Sequence, residues 1–487
     1  MFNKESIPFA PALIESMRSL GYSFETAISD LIDNSISANA KNIDIIMTPG
    51  ENPQLIILDD GHGMDELEIE EAMRYGSKNP LEKRKNTDLG RFGLGLKSAS
   101  LSQCRKLVVV SKKNKKISAY SWDLNHIINQ GSWMLIGYGE DEINNFPNIE
   151  KLHNLKNGTY LLLEDFDRIK ESTSNLSETL KKNINHMISH VSLVFHRYLS
   201  DKVKIYVNGE LIEAKDPFLL NNKKTQLRRE RIIKVDGEQI KVKPYILPHI
   251  SHLTSEDIKK IGGKENLKNE QGFYIYRNKR LIIWGTWFRL ERKDELNKLA
   301  RVQVDISNLL DYMWSIDIKK SSANLPDKIK KNLYNVVQES IINSEGVHTY
   351  RGRKESNGFE IDYVWERIKL RDGFEYKINK NIPQIKLLEN TLDKNQIKLL
   401  DQLIEQLENN FPTNTFYIDA SKGNVKKQIN KETKEAYLEI KNQIDYAKNN
   451  GLDYKNILNI FIKSQPYCFD KDLINMLENL KKELGEF

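Results

Sequence analysis

The stretch that decides the fold is Thr26-Ala-Ile-Ser-Asp30-Leu-Ile-Asp33-Asn34-Ser35, followed by Leu58-Asp59-Asp60-Gly61-His62-Gly63-Met64 and then Gly90-Arg-Phe92-Gly93-Leu94-Gly95-Leu-Lys97-Ser98. Phe24, Ala27, Ile28, Leu31, Ile32 and Ile36 recur three and four residues apart, the apolar stripe of a helix lying on a core. Asp30 and Asn34 stand four apart, on one face at the edge of that stripe. A carboxylate beside a carboxamide oxygen can hold a magnesium ion through oxygen and water, and the carboxylate can orient an attacking water. The plain alternative is a solvated polar face. Gln54-Leu-Ile-Ile-Leu58 predicts a buried strand, and Asp59 at its end can accept a hydrogen bond from an exocyclic amine such as that of adenine. Gly61 and Gly63 tolerate positive φ and a close backbone approach, although an ordinary Asp-Gly turn has the same pattern. The third segment is a glycine loop entering a helical pattern from Leu94 to Leu101. Its backbone N–H groups suit phosphate, and Lys97 adds positive charge. It lacks the Gly-Lys-Ser/Thr ending of a Walker loop and the βαβ surroundings of a dinucleotide fingerprint.

Each motif is weak alone, but in this order they resemble the ATP-binding domain of the GHKL or Bergerat family. That family is shared by DNA gyrase B subunits, large heat-shock chaperones, histidine kinases and MutL mismatch-repair proteins. A fourth element of the resemblance is Asn157-Gly158-Thr159 leading into Tyr160-Leu-Leu-Leu-Glu164. The resemblance implies ATP and Mg²⁺ as cofactors, with Asn34 as the magnesium ligand and Asp59 as the adenine reader over the turn at Gly61, Gly63 and Met64. It places Gly90, Phe92, Gly93, Leu94, Gly95, Lys97 and Ser98 at the phosphates, after a lid from Gly76 to Leu89, and Thr159 beside the adenine pocket. Asp30 stands where the family carries a glutamate general base. Its reach is shorter by one methylene, so the resemblance implies binding and a slow hydrolysis.

At 487 residues the chain is expected to hold roughly two to four domains. Its 39% hydrophobic content suffices for packed cores. The net charge of +6, from 74 basic and 68 acidic residues, permits nucleic-acid binding without demanding it. Cys104 and Cys468 give neither a zinc site nor a disulfide framework, which suits a reducing cytoplasm. No apolar run reaches the roughly twenty residues of a membrane helix, and no signal-peptide core opens the chain. The expectation is a soluble cytoplasmic protein without a membrane partner.

Lys106–Ser111, Ile117–Trp122 and Trp133–Ile136 predict successive strands, with Lys112–Lys116 as a solvated hairpin tip, and Leu176–Leu199 predicts a closing helix. The expected sheet is mixed, with helices on one face. Further strands are predicted at Val203–Gly209, Ile240–Ile246, Gly272–Tyr276 and Ala300–Ile306. The basic stretch Lys223–Lys234 is expected to be a mobile surface loop, with a DNA-contacting loop as the alternative. Tyr274, Tyr276, Trp284, Trp287 and Phe288, near Arg277 and Arg280, are expected in a core rather than stacked on bases. This region resembles the transducer domain that follows the ATPase domain in gyrase, MutL and MORC proteins, where a lysine reports the γ-phosphate. Lys320 stands at the expected place, with Lys319 as the alternative. Helices are predicted at Lys328–Asn343, Asp393–Asn409, Lys431–Lys448 and Asp470–Leu484, and strands at Phe374–Asn379 and Thr415–Ile418.

The expected fold class is therefore α+β. A Bergerat-type α/β sandwich over 1–200 is followed by a transducer-like α+β domain over 201–327 and a mainly helical interaction or dimerisation region over 328–487. The resemblance implies a Mg-dependent ATPase acting as a nucleotide-gated homodimeric clamp, in DNA repair, chromosome organisation or anti-phage defence. Its candidate partners are double-stranded DNA and a co-encoded protein. The alternative is a chaperone-like ATPase that clamps a protein client or regulates a partner enzyme.

Overall fold

The computed structural model describes residues 8–19, 21–75, 95–314, 325–349, 362–369, 374–413, 415–416 and 432–485. It divides the chain into two compact units, 1–350 and 351–487.

Continuous apolar strands dominate the first unit because both faces of its first sheet are covered. Asn42–Thr48 (β1), Gln54–Asp59 (β2), Lys106–Lys113 (β3), Lys116–Asp123 (β4), Ile136–Gly137 (β5), Gly158–Glu164 (β6), Lys204–Val207 (β7) and Glu210–Leu211 (β8) form it in the order β5-β4-β3-β6-β2-β1-β7-β8. The β1–β7 pair is parallel, while its neighbours in the sheet pair antiparallel. Strand alternation sends Leu55, Ile57, Leu107, Val109, Leu161 and Leu163 into the larger core. That core lies under the helices Ala10–Arg18 (α1), Phe24–Ser37 (α2), Glu66–Met73 (α3), Gly95–Gln103 (α4) and Leu176–Val194. Ile56, Leu58, Val108, Val110, Tyr160 and Leu162 point the other way, against Ile143, Ile149 and Leu152 of short helical turns. The expected one-sided sheet is thus corrected to a sheet buried on both faces. The expected strand Trp133–Ile136 shrinks to β5, because Trp133 instead packs on Tyr75 and Trp122 with ring centroids 5.2 and 5.8 Å away. The tip between β3 and β4 is a two-residue turn with positive φ at Asn114 and Lys115, the geometry that matches strand twist.

Gln226–Leu227 (β9), Arg231–Val235 (β10), Glu238–Ile246 (β11), Gly272–Arg277 (β12), Arg280–Thr286 (β13) and Ala300–Ile306 (β14) make a second sheet, with β12 parallel to β14. The basic stretch expected as a mobile loop supplies β9 and β10 instead, and Arg231 pairs with Glu339. Tyr274, Tyr276 and Trp287 are buried as expected of core aromatics. The helix Asp327–Thr349 lays Ile329, Leu333, Val336 and Val337 on this sheet, so it belongs to the first unit and not to the C-terminal region. The second sheet packs against the helix Leu176–Val194 of the first sheet's layer, where Leu193 and Phe218 meet Tyr245, Tyr274, Tyr276 and Leu281, and His196 Nε2 lies 2.7 Å from the Tyr276 hydroxyl.

The second unit pairs Trp365–Lys369 (β15) with Phe374–Ile378 (β16), and its other elements among the described residues are helices. Thr433–Asn449, Tyr454–Lys463 and Lys471–Glu483 enclose Ile440, Ile444, Phe461 and Leu477. Asp393 caps the helix Lys394–Asn409 in a reciprocal box with Gln396. Of that helix's apolar stripe Ile404 is buried, whereas Leu403 and Leu407 are exposed. Thr415 and Phe416 are helical, not extended as expected; 417–418 lie outside the described residues. No helix among the described residues is long and apolar enough to cross a membrane.

Candidate functional site

Helix α2 starts at Ser23, whose hydroxyl accepts the Thr26 N–H, and it is driven into the core by its apolar stripe. Every residue from Ala27 to Ser35 is buried except Asn34. The carboxamide is therefore the one side chain of that run offered outward, while Asp30 sits one turn before it at 3% exposure. Oδ2 of Asp30 accepts the Tyr22 hydroxyl at 3.0 Å, and Oδ1 lies 3.6 Å from Nη2 of Arg280. Arg280 Nε is also 2.8 Å from Oδ1 of Asp33, a contact of charge rather than a well-directed hydrogen bond. Gly95, the first residue of α4, abuts this carboxylate: a Cβ there would lie 3.9 Å from Asp30 Oδ2. The start of α4 and the candidate base thus share one place.

The other end of the site is built by strand pairing. Asp59 terminates β2 opposite Thr159 of β6. Its Oδ2 accepts the Ser35 hydroxyl at 2.7 Å and its Oδ1 the Gly61 N–H at 2.9 Å. Burial pushes the Asp59 carboxyl above the ordinary carboxylate range, opposed by hydrogen bonds from Ser35, Gly61 and Thr159. Ser111 of β3 accepts the Met64 N–H at 2.8 Å, donates to the Gly158 carbonyl at 3.0 Å and lies 3.1 Å from the Thr159 hydroxyl. Three glycines let these backbones touch. A Cβ at Gly63, whose φ is +67°, would stand 2.1 Å from the Lys112 carbonyl oxygen, and one at Gly158 would stand 2.3 Å from the Asp59 carbonyl oxygen. One at Gly61, where φ is not positive, would stand 2.8 Å from Ala38 Cβ, so that position is glycine for space alone.

Lys97 is turned into the fold. The sequence places its charge at a phosphate, but the side chain is 1% exposed and Nζ donates to the carbonyls of Ala72 and Arg74 at 2.8 and 2.7 Å. It serves the C-terminal carbonyls of α3, groups that a helix leaves unsatisfied. Ser98 is likewise buried within α4. Gly90, Phe92, Gly93, Leu94, the expected lid 76–89, Lys319 and Lys320 lie outside the described residues.

Tyr22, Asp33, Ser35, Ser111 and Arg280 join the site without having been singled out for it in the sequence. Ser35 carries a readable signal, since it follows Asn34 on a buried turn; Ser111 and Arg280 come from distant strands. Among the described residues, no group of three or more His, Cys, Asp or Glu side chains could cage a metal. One outward carboxamide oxygen near a carboxylate fits a magnesium ion held mainly by phosphate and water oxygens.

Residues 22–159 match the family model described as histidine kinase-, DNA gyrase B-, and HSP90-like ATPase. The mouse protein ATPase MORC2B is 34% identical over 96 residues, 19% of this chain and 9% of its own. ATPase morc-1 of Caenorhabditis elegans is 35% identical over 95 residues, 19% of this chain and 11% of its own. The DNA mismatch repair protein MutL of Rickettsia prowazekii is 28% identical over 96 residues, 20% of this chain and 16% of its own. The matched segment thus spans under a fifth of these relatives. A solved N-terminal domain of a DNA repair protein superposes with a TM-score of 0.43 at 14% identity, covering 69% of this chain and 98% of that one.

Proposed function

Taking residues 22–159 as a histidine kinase-, DNA gyrase B- and HSP90-like ATPase domain, we propose that this chain is a slow, Mg-dependent ATPase working as a nucleotide-gated dimerising clamp on DNA. Asp59 receives the adenine amine, with Thr159 and Ser111 shaping that end of the pocket. Asn34 holds the metal, and Asp30 takes the proton of the attacking water. Bound Mg²⁺ would supply charge neutralisation at the phosphates. The phosphates fall to the start of α4 at Gly95 and to the preceding glycines, and Lys320 or Lys319 to the γ-phosphate. The observation that carries the reading is α2, where Asn34 is the one exposed residue of the run Ala27–Ser35, one turn after a buried Asp30 that abuts Gly95.

Gating needs a difference between states, because a ligand shifts an equilibrium only by its differential affinity. The second sheet touches α2 directly through Arg280, so a change at the nucleotide has a path to it. A DNA partner is supported by the mismatch-repair relative, and the net charge of +6 permits one. The deciding measurement is particle mass in solution with and without a non-hydrolysable ATP analogue and Mg²⁺, for wild type and Asn34→Ala. Conversion of monomer to dimer by the analogue, abolished in Asn34→Ala, is expected. A mass indifferent to nucleotide in a chain that binds it would remove the clamp. Salt-sensitive DNA affinity is the next expectation, and ATPase activity unmoved by any nucleic acid would count against a DNA role.

A further inference from the structure

We infer that Arg280 is a positioning residue for Asp30, so that hydrolysis depends on the second sheet being docked against α2. The inference rests on the ATPase reading above. Arg280 is the first residue of β13 and is 4% exposed. It arrives at α2 on a two-residue turn, Asn278-Lys279, with φ of +49° and +68°, which sets Arg277 opposite Arg280. That turn is clamped to the first sheet's helical side: the Tyr198 hydroxyl donates to the Asn278 carbonyl, and Lys279 Nζ lies 3.1 Å from Asp201. The guanidinium lies over the Phe195 ring at 5.6 Å, with Nε toward Asp33 and Nη2 toward Asp30.

Asp30 is consequently gripped from two sides, by Tyr22 on one oxygen and by a guanidinium of the second sheet near the other. A carboxylate buried this far needs a counter-charge, and Arg280 supplies one shared between Asp30 and Asp33. Orientation matters more for an aspartate than for a glutamate in this place. Its reach is one methylene shorter, and an error of about 1 Å in placing a reacting group costs on the order of 100-fold in rate. Asp33 alone would suffice for a purely structural ion pair. The guanidinium also faces Asp30, which ties the second sheet to the carboxylate that handles water. The contacts Arg280 makes are with Asp30, Asp33 and Phe195, so its effect is expected in turnover rather than in binding.

The test is steady-state ATPase kinetics alongside binding of a non-hydrolysable analogue, for wild type, Arg280→Ala, Arg280→Lys and Asp30→Asn. Arg280→Ala is expected to lower kcat about 10-fold or more, with KM and analogue affinity held within about two-fold. Arg280→Lys keeps a charge without the planar fork, and its loss is expected to be about three-fold and confined to kcat. A wild-type rate in Arg280→Ala, or parallel losses of turnover and binding, overturns the inference. Should Arg280→Ala fail to fold, Arg280→Lys decides: an unchanged kcat, or a loss shared with binding, overturns it as well. A wild type that binds the analogue but turns over no faster than Asp30→Asn overturns the ATPase reading and this inference with it. A wild type that turns over and ignores Arg280 overturns this inference alone.

Discussion

Ser35 and Asp59 meet across a helix and a strand end, the Ser35 hydroxyl donating to Oδ2 of Asp59 at 2.7 Å. This bond helps to hold the carboxyl ionised against its burial, which raises its pKa. An adenine amine bonds more strongly to the ionised acceptor, so nucleotide affinity should fall as pH drops through that raised value, above the range where exposed carboxylates titrate. Ser35→Ala removes a bond that lowers the pKa, and should move the loss to higher pH while weakening binding about 10-fold at neutrality. In the nucleotide-free chain the sign reverses. A carboxyl whose folded pKa is raised destabilises the folded state above that pKa and is relieved as pH falls through it toward the unfolded value, so Asp59→Asn should raise the apo melting temperature while abolishing binding. Calorimetric titration across pH checks the first part and thermal melting the second; a ratio of wild-type to Ser35→Ala affinity that ignores pH would contradict the account.

Gly63 has both a positive φ of +67° and the Lys112 carbonyl oxygen 2.1 Å from where a Cβ would sit, whereas Gly131 has φ +65° with open space around it. Gly131→Ala should cost only the backbone term, about 1 kcal/mol. Gly63→Ala must also part β3 from the Asp59 turn, and should cost more than about 2 kcal/mol together with nucleotide binding. Urea unfolding of the two variants side by side makes the comparison, and equal costs would show that the close approach is not needed.

Local signals are the most legible part of the sequence. The spacing of Phe24, Ala27, Ile28, Leu31 and Ile32 places α2, and with it the faces of Asp30 and Asn34; the apolar run 54–58 places Asp59 at a strand end. Contacts between distant segments stay hidden. Ser111 reaches the site only through the β3–β6 pairing, and Arg280 only because an Asn-Lys turn in the second sheet lands on α2. Lys97 shows a different gap. A lysine in a glycine-rich segment is read as a phosphate ligand, but its side-chain direction depends on where α3 ends, which spacing does not encode. The stretch 223–234 misleads because its charge suggests a solvated loop. Edge strands carry such charges too, and β10 uses Ile233 and Val235 inward while Arg231 and Lys234 stay outside.

Arg18, in the last turn of α1, binds three segments together: Nε donates to the Leu101 carbonyl at 2.7 Å and Nη1 to Asp167 Oδ2 at 2.9 Å. Burial acts to raise the Asp167 pKa, but the hydrogen bond and charge of Arg18, the Arg168 N–H and Arg105 outweigh it and hold the carboxyl below its ordinary value. A depressed folded pKa means stability that is present above the unfolded value and lost as pH falls through the folded one. Solvent reaches Asp167, whose side chain is 17% exposed, so the stabilisation is roughly 1 kcal/mol after screening. Melting temperatures from about pH 7 down to about pH 3 should show an acid loss that Asp167→Asn lacks, with the variant already lower at neutrality. Parallel curves for the two proteins would place the acid sensitivity elsewhere.

Lys97 separates a structural from a phosphate-binding role. Its ammonium satisfies the Ala72 and Arg74 carbonyls and lies 5.6 Å from the Tyr75 ring, so removing it takes the donor from two part-buried acceptors at the end of α3. Each unsatisfied buried group costs about 1–3 kcal/mol, so Lys97→Ala should lower stability measurably without any nucleotide present. A lysine serving the phosphates would behave differently: the apo melting temperature would hold, and the preference for triphosphate over diphosphate would shrink. Melting of the apo variant, paired with analogue and ADP affinities, distinguishes the two. The geometry predicts a lowered apo melting temperature with the triphosphate preference intact, because the charge is already engaged by α3.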